Sequence, residues 1–292
     1  MNIPITGHTG LFGLLGSPVR HSLSPLMHNE SFRYHGLDYV YLCFEIGEDR
    51  LTQAVRGLAA AGIHGFNLTM PNKNRMAELC DNLSPEADIM QAVNTVVNRD
   101  GVLTGYNTDG TGFMQAALDA GYPLAGETAT VIGTGGAGTA ICAQAALDGV
   151  KKLNIFARPS SRFYNRTQEL ADRINRDTDC EAALYDTADM TAMKNCASES
   201  KMIINATSVG MAPHTEQCVV TDPDVFHEGL VACDIIYNPR ETRFLQTAAS
   251  RGCRTFNGVY MLLYQGAAAF RHFTGLDMPV DLVKEKYFRQ EP

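Results

Sequence analysis

The feature that most restricts what this chain can fold into lies near its middle. Residues 128–132 (TATVI) read as a short strand. They run directly into Gly133-Thr134-Gly135-Gly136-Ala137-Gly138 and then into an alanine-rich, helix-prone stretch. Gly133, Gly135 and Gly138 fit G-x-G-x-x-G in the context where that spacing has a mechanism. The first glycine makes a tight turn, the second lets backbone approach a pyrophosphate, and the third lets helix pack on strand. Gly136 and Ala137 open the helix, whose unpaired N–H groups and partial positive charge suit phosphate. The bland alternative is a glycine-rich turn that binds nothing. A second strand at 152–156 favours the dinucleotide reading, because the motif then sits inside a strand–helix–strand unit.

The end of that second strand bears on which dinucleotide is bound. An NAD site commonly places Asp or Glu there for the ribose hydroxyls, and this chain has Ala157-Arg158-Pro159-Ser160-Ser161-Arg162, with no acid. Arg158 is placed to face a 2′-phosphate and Ser160 to hydrogen-bond it. The reading is NADP or NAD, with NADP favoured; Arg158 and Arg162 as plain solvated arginines is the alternative.

Strand and helix signals alternate along the rest of the chain. Strands are expected at 11–15, 39–45, 64–69, 92–97, 102–106, 201–206 and 230–237. A helix should start at Ser24-Pro25, with Ser24 as its N-cap, and end near Gly36. Further helices are expected over the periodic Leu51, Ala54, Val55, Leu58 and Ala59, opening at Pro71, and after Asp109, with the last 35 residues helical from Gly258. Asp100-Gly101 between two strand-like runs is a hairpin signal. This alternation predicts an α/β fold with parallel sheet, divided near residue 110.

Composition excludes several classes. There are 24 Lys plus Arg against 32 Asp plus Glu, a formal charge of −8, and no dense basic run, so neither nucleic acid nor an anionic membrane is an expected partner. The longest unbroken apolar runs, Val259–Tyr264 among them, are six residues, far short of the ~20 of a membrane span. The opening MNIPITGHTG has no basic start or apolar core and does not read as a signal peptide. The eight cysteines include no CxxC pair, which fits reduced thiols in a cytoplasm and no metal site.

Four segments of the first half are richer in Ser, Thr and Asn than packing requires: Ser22-Leu23-Ser24-Pro25, Asn67-Leu68-Thr69-Met70-Pro71-Asn72-Lys73, Val93-Asn94-Thr95 and Asn107-Thr108-Asp109-Gly110. Each falls at an expected strand end or helix start, where ligands bind in open α/β sheets. Hydroxyls and amides suit a small polyhydroxylated ligand. Lys73 just inside a helix start meets an unfavourable dipole unless a carboxylate compensates, and Asp109 is the natural candidate. Such a pair can pass a proton to or from a hydroxyl while a cofactor handles hydride. The structural alternatives are a solvent-facing lysine and a helix-capping aspartate.

Taken in order, these residues resemble the shikimate dehydrogenase family. The resemblance rests on HSLSP at 21–25, NLTMPNK at 67–73, AVNT at 92–95, NTDG at 107–110, GTGGAG at 133–138, INATSVGM at 204–211, Tyr237-Asn238-Pro239 and MLLYQGAAAF at 261–270. GYNTDGTG at 105–112 and MPNK at 70–73 are most similar to the quinate/shikimate dehydrogenase branch.

The resemblance implies an N-terminal α/β substrate domain, 1–110, completed by C-terminal helices 258–292, plus a Rossmann-like doubly wound nucleotide-binding domain, 111–257. It implies Lys73 and Asp109 as the catalytic pair. Ser22, Ser24, Thr69, Asn94 and Gln265 would contact substrate, with Tyr41 and Asn67 as further contacts. Thr207, Ser208, Tyr237 and Gly258 would line the nicotinamide.

The implied reaction interconverts 3-dehydroshikimate and shikimate, a polyhydroxy cyclohexene carboxylate, in aromatic amino acid biosynthesis; 3-dehydroquinate and quinate are a further pair. A cytoplasmic enzyme, monomer or homodimer, is expected. The alternatives are a dehydrogenase of an amino-substituted shikimate analogue and a non-catalytic NAD(P)-binding sensor on the same fold. One departure stands out. NADP-preferring relatives carry Asn-Arg-Thr where this chain has Ala157-Arg158-Pro159, and Asn165-Arg166-Thr167 repeats those letters further on, inside an expected helix.

Overall fold

A computed structural model describes residues 4–288. The chain divides into two compact units, Met1–Thr108 with Leu263–Pro292, and Asp109–Leu262.

The first unit begins with β1 (Gly10–Gly16), α1 (Ser24–His35), β2 (Tyr39–Glu45), α2 (Glu48–Ala60) and β3 (Gly65–Leu68). It continues through α3 (Lys73–Ala77), β4 (Asn82–Leu83), α4 (Pro85–Met90), β5 (Thr95–Arg99) and β6 (Val102–Tyr106). Its six-stranded sheet has the order β2-β1-β3-β5-β6-β4. The apolar run of β1 is buried because the strand lies between β2 and β3, both parallel to it. α1 ends at Gly36, whose φ of 67° is the left-handed conformation glycine adopts without steric cost. Leu51 and Val55 turn one face of α2 onto a core of Leu15, Ile63, Phe66, Met76 and Val96.

The expected parallel sheet is corrected here to a mixed one. β5 runs antiparallel to both β3 and β6. The cause is the tight turn at Asp100-Gly101, where both residues have positive φ, 53° and 87°, the geometry of a two-residue hairpin. Two helix starts also differ from the reading of the sequence. Leu23, not Ser24, is the N-cap of α1, and Ser24 is its first helical residue. The helix expected to open at Pro71 opens at Lys73 and is only five residues long.

The second unit starts with α5, which overall spans Thr108–Asp119. β7 (Thr128–Ile132), α6 (Gly136–Leu147), β8 (Lys152–Ala157), α7 (Tyr164–Asp177), β9 (Glu181–Asp186), α8 (Met190–Glu199) and β10 (Met202–Asn205) follow. After a short 3-10 turn at Pro223–Val225 come β11 (Val231–Asp234), α9 (Arg243–Ser250) and β12 (Arg254–Asn257). α10 (Val259–Thr274) carries the chain back into the first unit, which ends with α11 (Val280–Tyr287). The helical C-terminal stretch expected from Gly258 is thus made of these two helices.

All pairings in the second sheet are parallel, in the order β12-β11-β10-β7-β8-β9. The strand order reverses at β7, which makes the unit doubly wound, with its ligand crevice beyond the carboxyl end of β7. Ile132, Phe156, Ile203, Ala232 and Phe244 belong to its core. The Asn165-Arg166-Thr167 triplet lies in α7, as the sequence suggested.

Candidate active site

In the first unit, topology gathers the polar segments at one sheet edge. β1, β3 and β6 all point toward it, and antiparallel β5 begins there. Ser22–Ser24 and Thr69–Lys73 therefore follow strand ends on the same edge where Asn94 and Thr95 precede a strand and Asn107 and Thr108 follow one.

A chain of hydrogen bonds joins these segments. The Tyr41 hydroxyl donates to Asn67 Oδ1 at 2.8 Å. Asn67 Nδ2 donates to the Asn94 carbonyl at 3.1 Å and to Thr95 Oγ1 at 2.9 Å. Asn94 Oδ1 accepts from Thr95 Oγ1 (2.8 Å), Thr108 N (2.9 Å) and Thr108 Oγ1 (3.1 Å). With its oxygen engaged by three donors, the Asn94 amide is fixed in one orientation.

Several expected substrate residues take a place behind this surface. Tyr41 is 0% exposed, stacked on the buried imidazole of His28 at 4.5 Å, with the Ser24 side chain also hydrogen-bonded to it. Burial raises its phenol well above the usual range. Tyr41 therefore braces Asn67 and Ser24 rather than reaching a ligand. Asn67 is likewise buried with both amide ends engaged.

Ser22 Oγ accepts from Ser24 N at 3.2 Å, and both serines are half-buried. Thr69 packs its methyl against Gly16, where any Cβ would collide with it. Lys73, half-buried, opens α3, and its carbonyl accepts from Val93 N at 2.8 Å. Five residues give α3 a smaller dipole than the sequence suggested. Asp109 lies in the first turn of α5, 9% exposed. Gln265 is half-buried on α10.

In the second unit a cavity of about 370 Å³ opens beyond β7. It is lined by Gly133, Thr134 and Gly135, by Ala157, Arg158, Ser161 and Phe163, by Thr187, and by Ala206–Val209 with Val219. Gly133 has φ 96°, and a Cβ on Gly138 would collide with the Gly133 carbonyl, so the first and third glycines are required by backbone contact. Cβ atoms built on Gly135 and Gly136 meet nothing within 4 Å. That open space over the start of α6 is what an approaching diphosphate needs, so the residues present fit a dinucleotide.

Arg158 lines the cavity, whereas Ser160 is exposed and does not; Ser161 takes that place. Thr207 and Ser208 line it too, while Tyr237 is 50% exposed on the loop after β11 and Gly258 packs on the Ile235 carbonyl.

Some residues at these surfaces have no role that the sequence alone assigns. Thr95 and Thr108 fall inside the polar segments, and their hydroxyls fix Asn94. Thr187 follows the end of β9, so the rule that ligands sit at strand ends reaches it only once that strand is known. Val219 carries no comparable signal.

The family model for the shikimate dehydrogenase substrate binding domain matches residues 14–96, and that for the shikimate 5′-dehydrogenase C-terminal domain matches 258–286. A shikimate dehydrogenase (NADP+) of Listeria monocytogenes serotype 4b is 48% identical, over 97% of each chain. A crystal structure of shikimate 5-dehydrogenase from Listeria monocytogenes, in complex with shikimate and NAD, has a TM-score of 0.94 at 48% identity and covers 98% of each chain. Quinate dehydrogenase from Corynebacterium glutamicum in complex with NAD has a TM-score of 0.83 at 29% identity, covering 96% of this chain and 99% of its own.

Fold and site together define a class, the two-domain α/β oxidoreductases that use NADP or NAD. The chain belongs to the shikimate dehydrogenase family.

Proposed function

We propose that this chain interconverts shikimate and 3-dehydroshikimate by oxidation and reduction at the ring 3-hydroxyl. The observation that carries the reading is its likeness, over 98% of both chains, to a structure in complex with shikimate and NAD. The hydroxyl- and amide-lined edge of the first unit suits such a ligand. NADP or NAD, when bound, would supply hydride chemistry at the ring carbon. The glycine loop and the start of α6 would hold its diphosphate, and Arg158 and Ser161 would face its adenosine end, with NADP favoured by the missing acid.

Lys73 acts at the oxygen. In reduction its ammonium gives a proton, or a strong hydrogen bond, to the carbonyl oxygen; in oxidation the neutral amine takes the hydroxyl proton. Asp109 orients Lys73 and balances its charge. Ser22, Ser24, Thr69 and Gln265 bind the ring hydroxyls and carboxylate. Asn94, its oxygen committed to Thr95 and Thr108, presents N–H to the substrate. Tyr41 and Asn67 hold this arrangement from behind.

The enzyme works in the cytoplasm on small molecules, as monomer or homodimer, with neither nucleic acid nor membrane as partner. The net charge of −8 supports that reading, and no helix among the described residues is long and apolar enough to cross a membrane. Quinate is a second substrate, favoured by the likeness to a quinate dehydrogenase.

A two-by-two kinetic comparison tests the reading: shikimate against quinate, NADP+ against NAD+, followed by absorbance of the reduced nicotinamide. Turnover of shikimate with at least one cofactor is expected. No turnover of either acid, alongside measurable dinucleotide binding, would leave a sensor on the same fold.

A further inference from the structure

The second unit buries one carboxylate that no step above uses. Asp234, the last residue of β11, is 0% exposed and lies opposite Asn205, the last residue of β10. Its Oδ1 accepts from Ile236 N at 2.9 Å. Its Oδ2 accepts from Thr242 Oγ1 at 2.6 Å and Asn205 Nδ2 at 3.0 Å. Desolvation pushes its carboxyl above the usual range while these three donors pull it back.

Each partner holds a different piece of chain. Asn205 Oδ1 accepts from Thr207 N (3.1 Å) and Thr207 Oγ1 (2.7 Å), and its Nδ2 also reaches the Val209 carbonyl at 3.3 Å. Thr207 Oγ1 in turn accepts from Val209 N at 3.0 Å. This shapes the 206–209 wall of the cavity, and the Thr207 methyl lies against Gly133. Ile236 leads to Tyr237, and the neighbouring Ile235 is the backbone on which Gly258 rests. Thr242 caps α9 by accepting from Leu245 N.

Strand order tells which half of a dinucleotide this wall serves. β8 and β10 flank β7 on opposite sides. The end of β8 takes the adenosine half in such sheets, and the half beyond the diphosphate falls over β10. We infer that Asp234 is the positioning residue for the nicotinamide half of the site, acting through Asn205 and Thr242. The inference rests on the dinucleotide reading of this cavity.

The geometry specifies the chemistry of each member. Three donors converge on both oxygens of residue 234, and an amide accepts at only one of its two atoms. Residue 205 accepts twice from Thr207 through one atom and donates to both Asp234 and the Val209 carbonyl through another, a division that an amide provides. A hydroxyl at 242 must donate to Asp234 and accept from Leu245.

The test compares two ligands by calorimetric titration. NADPH spans both halves of the site, and adenosine 2′,5′-bisphosphate reaches only the adenosine half. Asp234→Asn should weaken NADPH by about tenfold, the scale of one buried hydrogen bond to a charged group, and change the bisphosphate by less than about twofold. Thr242→Val should act in the same direction and Thr242→Ser should bind like the wild type. Should Asp234→Asn fail to fold, the Thr242 pair still reads out the same contrast.

Parallel weakening of both ligands would reduce Asp234 to a purely structural role and overturn the inference; so would unchanged NADPH affinity. Both ligands are read by binding. A wild-type chain that binds NADPH yet fails to oxidise shikimate would therefore sink the proposed function alone, and one that binds neither nucleotide would sink both.

Discussion

The two units build their sites from different materials. In the second, six parallel strands end on one side, and what they offer a ligand is mainly backbone: a glycine loop, a helix start, and a wall of main chain tied down by Asn205 and Asp234. In the first, antiparallel β5 breaks the pattern, so a strand start and three strand ends share one edge. That edge offers side chains: Ser22, Ser24, Thr69, Lys73 and Asn94. Phosphates are well served by N–H groups and a helix dipole, whereas a ring with several distinct hydroxyls requires distinct donors and acceptors. The mixed sheet is what gives the first unit room for them.

Acid should break the comparison most strongly. Burial lowers His28 in the first unit to about 3 from an ordinary 6.5. A base held neutral in this way contributes stability that is complete above pH 6.5 and is lost as pH falls toward 3. The loss reaches about 4 kcal/mol at that pH. Asp234 in the second unit has the opposite sign: its raised carboxyl favours folding below the unfolded value of 3.8 and works against it as pH rises through the folded value. Hydrogen exchange followed from pH 7 to pH 3 should show the first unit opening before the second. Simultaneous opening would mean His28 is not the weak point.

Next in size is Gly138→Ala. Its methyl must displace the Gly133 carbonyl, a backbone atom, at a cost of about 3 kcal/mol. Thermal unfolding should record a less stable second unit and titration should record lost NADPH binding, while shikimate affinity stays unchanged. A parallel loss of shikimate affinity would show that the units do not separate in function.

Thr95→Val acts on the first unit alone. It strips Asn67 Nδ2 of one acceptor and Asn94 Oδ1 of one donor, and should cost about 2 kcal/mol with a raised KM for shikimate. Thr95→Ser should restore both. NADPH affinity should not move in either variant.

The smallest effect belongs to Glu30. Lys286 and Arg33 hydrogen-bond its carboxylate and hold it down at about 2 from 4.5. Its contribution is present above pH 4.5 and lost as pH falls through 2. Glu30→Gln should cost about 1 kcal/mol at neutral pH, because both cations are substantially exposed, and almost nothing at pH 2.

Legibility in the sequence followed the same division. The glycine loop was readable because its function is written in backbone geometry that only glycine supplies, and the strand before it is a compact β-prone run. β9 is hard to read because an edge strand of sequence EAALYD is only partly buried and half of its four-residue apolar run is alanine, which strands do not favour. α8, α9 and β12 are hard to read too, being short elements between loops. In the first unit the four polar segments were visible as composition, and the Asp100-Gly101 turn was visible as a dipeptide. What a sequence does not display is register. Thr95 meets Asn67 across one pair of strands and Tyr106 across another, and that pairing makes Asn94 and Thr108 neighbours. Tyr41 could be read as a ligand contact only while its burial was unknown.

Steady-state kinetics of Lys73→Ala tests most directly the claim that the first unit's polar edge performs proton chemistry on shikimate. The account predicts a fall in kcat of at least about 100-fold, with the KM for shikimate within about threefold of wild type. A variant that keeps its turnover and loses only affinity would contradict it.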